Sequence, residues 1–218
     1  ILFAEDSDTV RLVTAALLRR MGCDVDAVEH GEEALEQART QSYDLVLLDI
    51  EMPTIQKPDD ILFKVEYCAV CVGETKVYDW GDWAANDPTI QLPTVLGHEA
   101  AGVVMAVGPA VTQYQPGDRV VNDPLIYCGH CRHCKQGFTN MCENREIYGK
   151  RRGAFAEYAV LPERALNPLS DKLSFEEGAV LENLGIAVHA VEMENRDPGD
   201  WAVILGAGPI GILAAQAL

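Results

Sequence analysis

The first 50 residues switch between two hydrophobic periods. "ILFA" (1–4) is a short apolar run ending in acids, as a buried parallel strand would be. Val10, Val13, Leu17 and Met21 then recur at helical spacing, with Asp6 or Ser7 placed to cap that helix and Gly22 to stop it. "VDAV" (25–28) reads as a second strand. "GEEALEQAR" (31–39) reads as a second helix, acidic first and basic last in the sense that complements its dipole. "YDLVLLD" (43–49) is a third strand, apolar almost throughout and so expected to be buried on both faces. This βαβαβ order is half of a doubly wound α/β sheet.

Beyond Pro53 the pattern changes to short β-rich runs. "ILFKVEYCAVC" (61–71) alternates as a strand does, and "LPTVLGHEAAGVVMAVGPAVTQYQPGDRVV" (92–121) is punctuated by Gly and Pro. Residues 176–194, "EEGAVLENLGIAVHAVEME", predict helix with a glycine-containing break, and His189 is expected in its core face. "DPGDWAVILGAGPIGILAAQAL" (197–218) predicts turn, strand, glycine-rich turn and the start of a helix.

Composition narrows the function classes. A 48% hydrophobic and 23% charged chain of 218 residues is ordinary for a folded soluble protein. The formal charge of −17 argues against a nucleic-acid or anionic-membrane surface. No apolar run approaches the roughly 20 residues of a membrane span. The opening "ILFAEDSD" has no basic segment of the kind that begins a signal peptide, so a cytoplasmic address is expected.

Four of the seven cysteines crowd into "CGHCRHCKQGFTNMC": Cys128, Cys131, Cys134 and Cys142. Such C-x-x-C spacing lets several thiolates converge on one ion and suits tetrahedral zinc; the other arrangement open to them is a pair of disulfides. His130 and His133, between these cysteines, are expected to face solvent. Cys68 lies three residues before Cys71, and strand alternation sends it to the opposite face, as a packing residue.

Two resemblances organise these signals. The paired acid Glu5–Asp6, "EHGEEAL" before the second helix and "DLVLLDIEMP" at the third strand resemble the first half of a response-regulator receiver domain. That resemblance implies a magnesium site at Glu5 and Asp6, with Asp49 as phosphoacceptor. Without it, the same acids serve to cap helices and solvate strand ends. Receivers also use a hydroxyl residue on a fourth strand and a lysine on a fifth, and nothing after Pro53 supplies them.

The second resemblance covers about residues 53–218. "GHEAAGVVMAVGPAV" (97–111), the four-cysteine lobe, "VYDWGDWA" (77–84) and "GAGPIG" (206–211) are similar to the zinc-dependent medium-chain alcohol, polyol and threonine dehydrogenases. It implies a GroES-like β-barrel-type catalytic domain with a zinc lobe, then the first β-α of a Rossmann domain. Cys71, His98, Glu99 and Glu182 would hold a catalytic zinc, with His98, Glu99 and Glu182 at the reaction centre. Cys128, Cys131, Cys134 and Cys142 would hold a structural zinc. Gly206, Gly208 and Gly211 form G-x-G-x-x-G and would approach the pyrophosphate of NAD or NADP. The substrate implied is a small alcohol, polyol or amino alcohol, and the complete family enzymes commonly oligomerise.

The departures concern the proton route. Two residues after the ligand cysteine, where relatives carry Ser or Thr, stands Gly73; where threonine dehydrogenases place a relay histidine stands Lys76. Water, Thr75 or Glu74 would have to substitute. The sequence thus reads as a composite: a receiver-like half (1–52), a catalytic domain lacking its first strands (53–198) and the start of a nucleotide-binding domain (199–218), joined near residues 50–53. Three readings compete: a zinc dehydrogenase, a phosphoacceptor module, and a zinc-stabilised scaffold without catalysis.

Overall fold

The opening apolar runs pair with one another. In a computed structural model of the chain, which describes residues 1–49, 51–79, 81–90, 94–149, 152–194, 197 and 199–218, β1 (Leu2–Ala4) is flanked by β2 (Asp26–Val28) and β3 (Val46–Leu48), both parallel to it. α1 (Asp8–Arg20) and α2 (Gly31–Thr40) make the crossovers. Strand alternation divides β1 between two layers. Leu2 and Ala4 pack with Val28 and Ala34, while Phe3 packs with Ala15 and Val25. Ile50 at the expected junction, Trp80 of the 77–84 segment, Leu92 and Pro93 of the β-rich run, and Pro198 of the later turn lie outside the described residues.

Three expectations for this first unit are corrected. α1 turns Ala15 and Leu18 toward the sheet and leaves the Val10, Val13, Leu17 and Met21 row exposed. The small Ala15 lets the helix sit close to Phe3, and among the described residues no second layer covers the other row. Ser7 is the N-cap residue but its side chain makes no capping bond; its N–H instead donates to Oε1 of Glu5 at 3.0 Å. β3 is an edge strand here, so Val46 and Leu48 are exposed rather than buried on both faces. Gly22 ends α1 at φ +90°, a conformation that favours glycine.

The chain separates into two units, Ile1–Met52 and Pro53–Leu218. In the second, β4 (Asp60–Ala69), α3 (Val72–Tyr78), α4 (Asp82–Ala85), β5 (Glu99–Val107), β6 (Arg119–Asn122), β7 (Leu125–Ile126), α5 (Arg132–Lys135), β8 (Glu146–Ile147), β9 (Tyr158–Pro162) and β10 (Leu166–Pro168) follow in order. Then come α6 (Phe175–Ala179), α7 (Leu181–Glu192) and α8 (Pro209–Ala217). Five strands form an antiparallel sheet, β10-β6-β5-β4-β9, and β7 pairs with β8 as a separate ribbon. Ile61, Phe63, Val104, Val120, Tyr148 and Leu161 are each at most 1% exposed and form its core.

The long β4–β5 pair sets up the chemistry, because its register ends at Ala69↔Glu99. Cys71 therefore follows β4 at the same end where His98 leads into β5 at Glu99. Two register shifts, at Leu62/Phe63 and Val65/Tyr67, bend the pair. Gly102 permits its closeness: a Cβ there would stand 2.0 Å from the carbonyl oxygen of Lys64.

Three later expectations also change. The helical break falls at Val180 (φ −96°, ψ 2°), with Gly178 inside α6 packed against Ala101 and Leu169. His189 on α7 is exposed rather than core. Residues 201–207 form no strand, since among the described residues no neighbour pairs with them, and Trp201 and Leu205 are 98% and 95% exposed. No helix among the described residues is long and apolar enough to cross a membrane.

Candidate functional site

Cys71 is fixed by the start of α3. It is the N-cap residue: its Sγ accepts from the Gly73 N–H at 3.4 Å, and Oε2 of Glu74 accepts from the Cys71 N–H at 2.9 Å. Across the hairpin end, Gly97 (φ +97°) turns the chain into β5; a Cβ there would meet the Phe155 nitrogen at 2.6 Å. The loop that follows β8 holds this turn, with Ala154 N–H donating to Gly97 O at 2.9 Å and Phe155 N–H to Leu96 O at 2.8 Å.

One ligand atom from each of Cys71, His98 and Glu99 lies within 4.8 Å of the others. The two faces of His98 are differentiated. Nδ1 stands 3.0 Å from Oε1 of Glu74, and Nε2 points toward Oε1 of Glu99, 4.0 Å away. Glu74 and Glu99 are 5% and 2% exposed, and among the described residues neither Oε1 has a well-aligned hydrogen bond. The Glu74–His98 approach is thus an electrostatic contact at short range rather than an aligned bond. It raises the His98 pKa against the opposing effect of burial, with Glu182 and Glu99 adding to the rise. Glu182, in the first turn of α7, is half-buried; desolvation raises its carboxyl pKa and His98 lowers it. Desolvation likewise raises the Cys71 thiol.

The structure brings Cys71, His98 and Glu99 together and sets Glu182 within electrostatic reach. Cys68 packs against the core instead, where burial pushes its thiol up to about 12. Of the side chains offered as proton-route substitutes, Glu74 contacts His98, whereas Thr75 donates its hydroxyl to Val72 O at 2.8 Å. Lys76 is exposed on α3.

The second cluster is the lobe. Cys128, Cys131, Cys134 and Cys142 present sulfurs within 4.8 Å of one another, and all seven cysteines are free thiols. Backbone N–H groups lean on these sulfurs, Cys131 N on Cys128 Sγ at 3.4 Å and Cys128 N on Cys142 Sγ at 3.3 Å. The His130 backbone above all lowers the Cys128 thiol, while desolvation raises that of Cys134. His130 is exposed, and His133 is half-buried beside Glu143; neither belongs to the sulfur cluster.

In the first unit, Glu5, Asp6 and Asp49 converge within the same 4.8 Å limit. Backbone bonds that extend the ladder, Glu5 N–H to Val28 O and Asp49 N–H to Ala4 O, bring them to one end of the sheet. At the other end of the chain, Gly208 caps α8, Gly206 has φ +114°, and a Cβ on Gly211 would meet Gly206 O at 2.1 Å.

Two residues escaped the sequence reading. Glu74 entered it only as a proton carrier, although the capping-box spacing of Cys71 and Glu74 was visible. Asn122 gave no local signal; it is 4% exposed, and its side chain reaches the backbone on both sides of Glu99.

Comparison with known proteins gives a family match to each of the two units. Residues 57–171 match the alcohol dehydrogenase GroES-like domain, and residues 1–57 match the response regulator receiver domain. A probable D-xylulose reductase A of Emericella nidulans is 38% identical over 167 residues, covering 76% of this chain and 46% of the relative. L-threonine 3-dehydrogenase of Vibrio parahaemolyticus is 39% identical over 171 residues, covering 76% and 49%. Among solved structures, a zinc-binding dehydrogenase from Sinorhizobium meliloti bound to NADP superposes with a TM-score of 0.67 at 35% identity, covering 75% and 46%. The chain spans about half the length of the curated relatives it matches. It belongs to the alcohol dehydrogenase family through its GroES-like domain, and that domain follows a receiver-type segment.

Proposed function

We propose that this chain carries the zinc-binding catalytic part of an oxidoreductase that moves a hydride between a small alcohol, polyol or amino alcohol and NAD or NADP. The observation that carries this reading is the convergence of Cys71, His98 and Glu99, with a buried Glu99 oxygen that finds no donor among the described residues. Ligands held about 2.0–2.3 Å from a tetrahedral zinc lie roughly 3.3–3.8 Å apart, so modest closing movements suffice. Thiolate, imidazole and carboxylate are a zinc donor set, with Glu182 at hand as a further carboxylate.

When bound, zinc supplies Lewis acidity toward an alcohol oxygen and the nicotinamide accepts the hydride. The chain's own residues prepare the place. Glu74 sets its charge 3.0 Å from Nδ1 of His98, while Nε2 faces Glu99. The capping box fixes the direction of Cys71. Proton transfer falls to Glu74 or to water, since Gly73 has no side chain. Gly206, Gly208 and Gly211 fit a pyrophosphate, because the close approach at Gly211 and the start of α8 leave backbone N–H groups uncovered by side chains. The lobe cysteines hold a structural zinc. On this reading residues 53–198 are the catalytic domain and 199–218 open the nucleotide-binding domain.

A second reading concerns residues 1–52 alone. The converging carboxylates of Glu5, Asp6 and Asp49 suit magnesium, with Asp49 as phosphoacceptor.

Elemental analysis of the purified chain tests the main reading. About two zinc ions per chain, followed by NAD(P) reduction with polyols or threonine, is the expected result. One zinc per chain, retained when Cys71 is replaced by Ser, would leave only the lobe and overturn it.

A further inference from the structure

We infer that Asn122 is a positioning residue for the candidate zinc site, acting as an amide clip across Glu99; the inference rests on the zinc reading above. The β5–β6 ladder runs through Val103↔Arg119, Gly102↔Val120 and Ala101↔Val121 and then stops. At the next position the Ala100 N–H meets no backbone partner from β6; Asn122, which lies opposite Leu166 of β10, meets it with its side chain. Oδ1 accepts from the Ala100 N–H at 2.6 Å, and Nδ2 donates to the His98 carbonyl at 2.8 Å.

The two bonds settle the amide's orientation. A backbone N–H can only donate and a carbonyl can only accept, so Oδ1 must face Ala100 and Nδ2 must face His98. The clip therefore spans the residue between them, Glu99, and pins the backbone from which both the imidazole and the carboxylate project. At 4% exposure the amide has no water to fall back on. Loss of the Nδ2 bond releases the carbonyl of the His98–Glu99 peptide and loss of the Oδ1 bond releases the N–H of the Glu99–Ala100 peptide, while β5 keeps its register with β4. Ligands held by such outer supports bind metal less well when the support is removed, typically by 10–100-fold.

Cobalt(II) titration of the full chain distinguishes positioning from general stability. The wild type should take two cobalt ions. The lobe reports through thiolate-to-cobalt charge transfer from four sulfurs, and the second site through its own d–d bands. Asn122→Leu should keep the lobe spectrum and lose roughly 10–100-fold in affinity at the second site. Asn122→Asp keeps an acceptor for Ala100 but sets a lone pair against the His98 carbonyl. It should shift the second site's d–d bands even where the fold is intact, and it decides the matter should the leucine variant fail to fold. Wild-type affinity and unchanged d–d bands in a folded Asn122→Asp protein would overturn the inference, whatever its melting temperature. A wild type that binds one cobalt, or a second cobalt indifferent to Cys71→Ser, would sink the zinc reading itself.

Discussion

Replacing Gly102 with alanine should collapse the second unit's stability, and the size of the effect follows from one close approach. A Cβ at 102 would stand 2.0 Å from the carbonyl oxygen of Lys64 and 3.0 Å from the Phe63 ring. Favourable carbon contacts begin at about 3.5 Å, so β4 would have to retreat by roughly 1.5 Å. Neither obstacle can step aside: one is backbone, and Phe63 is wholly buried. Overpacking costs about 1–3 kcal/mol, and a backbone clash inside a five-stranded sheet belongs at or above the upper end. Against a typical total of about 5–15 kcal/mol this is a large fraction. With a urea slope of about 1–3 kcal/mol per molar, a loss of about 3 kcal/mol lowers the midpoint by roughly 1–3 M. No tryptophan precedes Trp80, so indole emission during urea unfolding follows the second unit alone. Gly185→Ala is the matched control. Gly185 lies inside α7 with open space where its Cβ would go, so alanine should stabilise by about 0.5–1 kcal/mol. A Gly102→Ala midpoint indistinguishable from wild type would show that the β4–β5 approach is wrong.

Other substitutions probe the sites. Glu74→Gln keeps an oxygen for the Cys71 N–H but gives up the charge beside His98, and should weaken the second zinc about 10–100-fold with the lobe zinc unaffected, as chelator competition would read. Cys131→Ser should remove the lobe zinc and leave the other metal in place at low temperature, by elemental analysis. Asp123→Asn tests a pH effect. Desolvation raises the Asp123 carboxyl above its ordinary 3.8, so ionising it opposes folding. The metal-free variant should therefore exceed wild type in stability at neutral pH, and this advantage should vanish as pH falls below about 3.9, where the carboxyl is protonated in both states. Urea midpoints from pH 3 to 8 check the sign; an advantage that grew on acidification would contradict it.

The parts legible in the sequence were those written over short spans. Four lobe cysteines fall within a single stretch, and the Gly206–Gly211 turn and the Gly97–His98–Glu99 step carry their reasons in adjacent residues. What stayed hidden depended on pairing between distant segments. Asn122 looks like any strand-end polar residue until β6 is set beside β5. The row from Val10 to Met21 has the right period for a buried face, yet periodicity does not say which face another layer will cover; Ala15 took that place. Val203 and Leu205 likewise have strand-like character, but a strand exists only where a neighbour accepts its hydrogen bonds.

The grip on the start of β5 has a kinetic consequence. Its fasteners come from far along the chain: Asn122 lies 22 residues from Ala100, and the amides that hold Gly97 and Leu96 belong to residues 154 and 155. Contacts of such sequence separation form late, because the intervening loops must close first. The lobe's ligands, by contrast, all lie between residues 128 and 142. During refolding with metal present, the lobe should load first and the Cys71–His98–Glu99 site only after the sheet has closed. Metal capture would then occur in two phases, the slower one keeping time with the last step of folding.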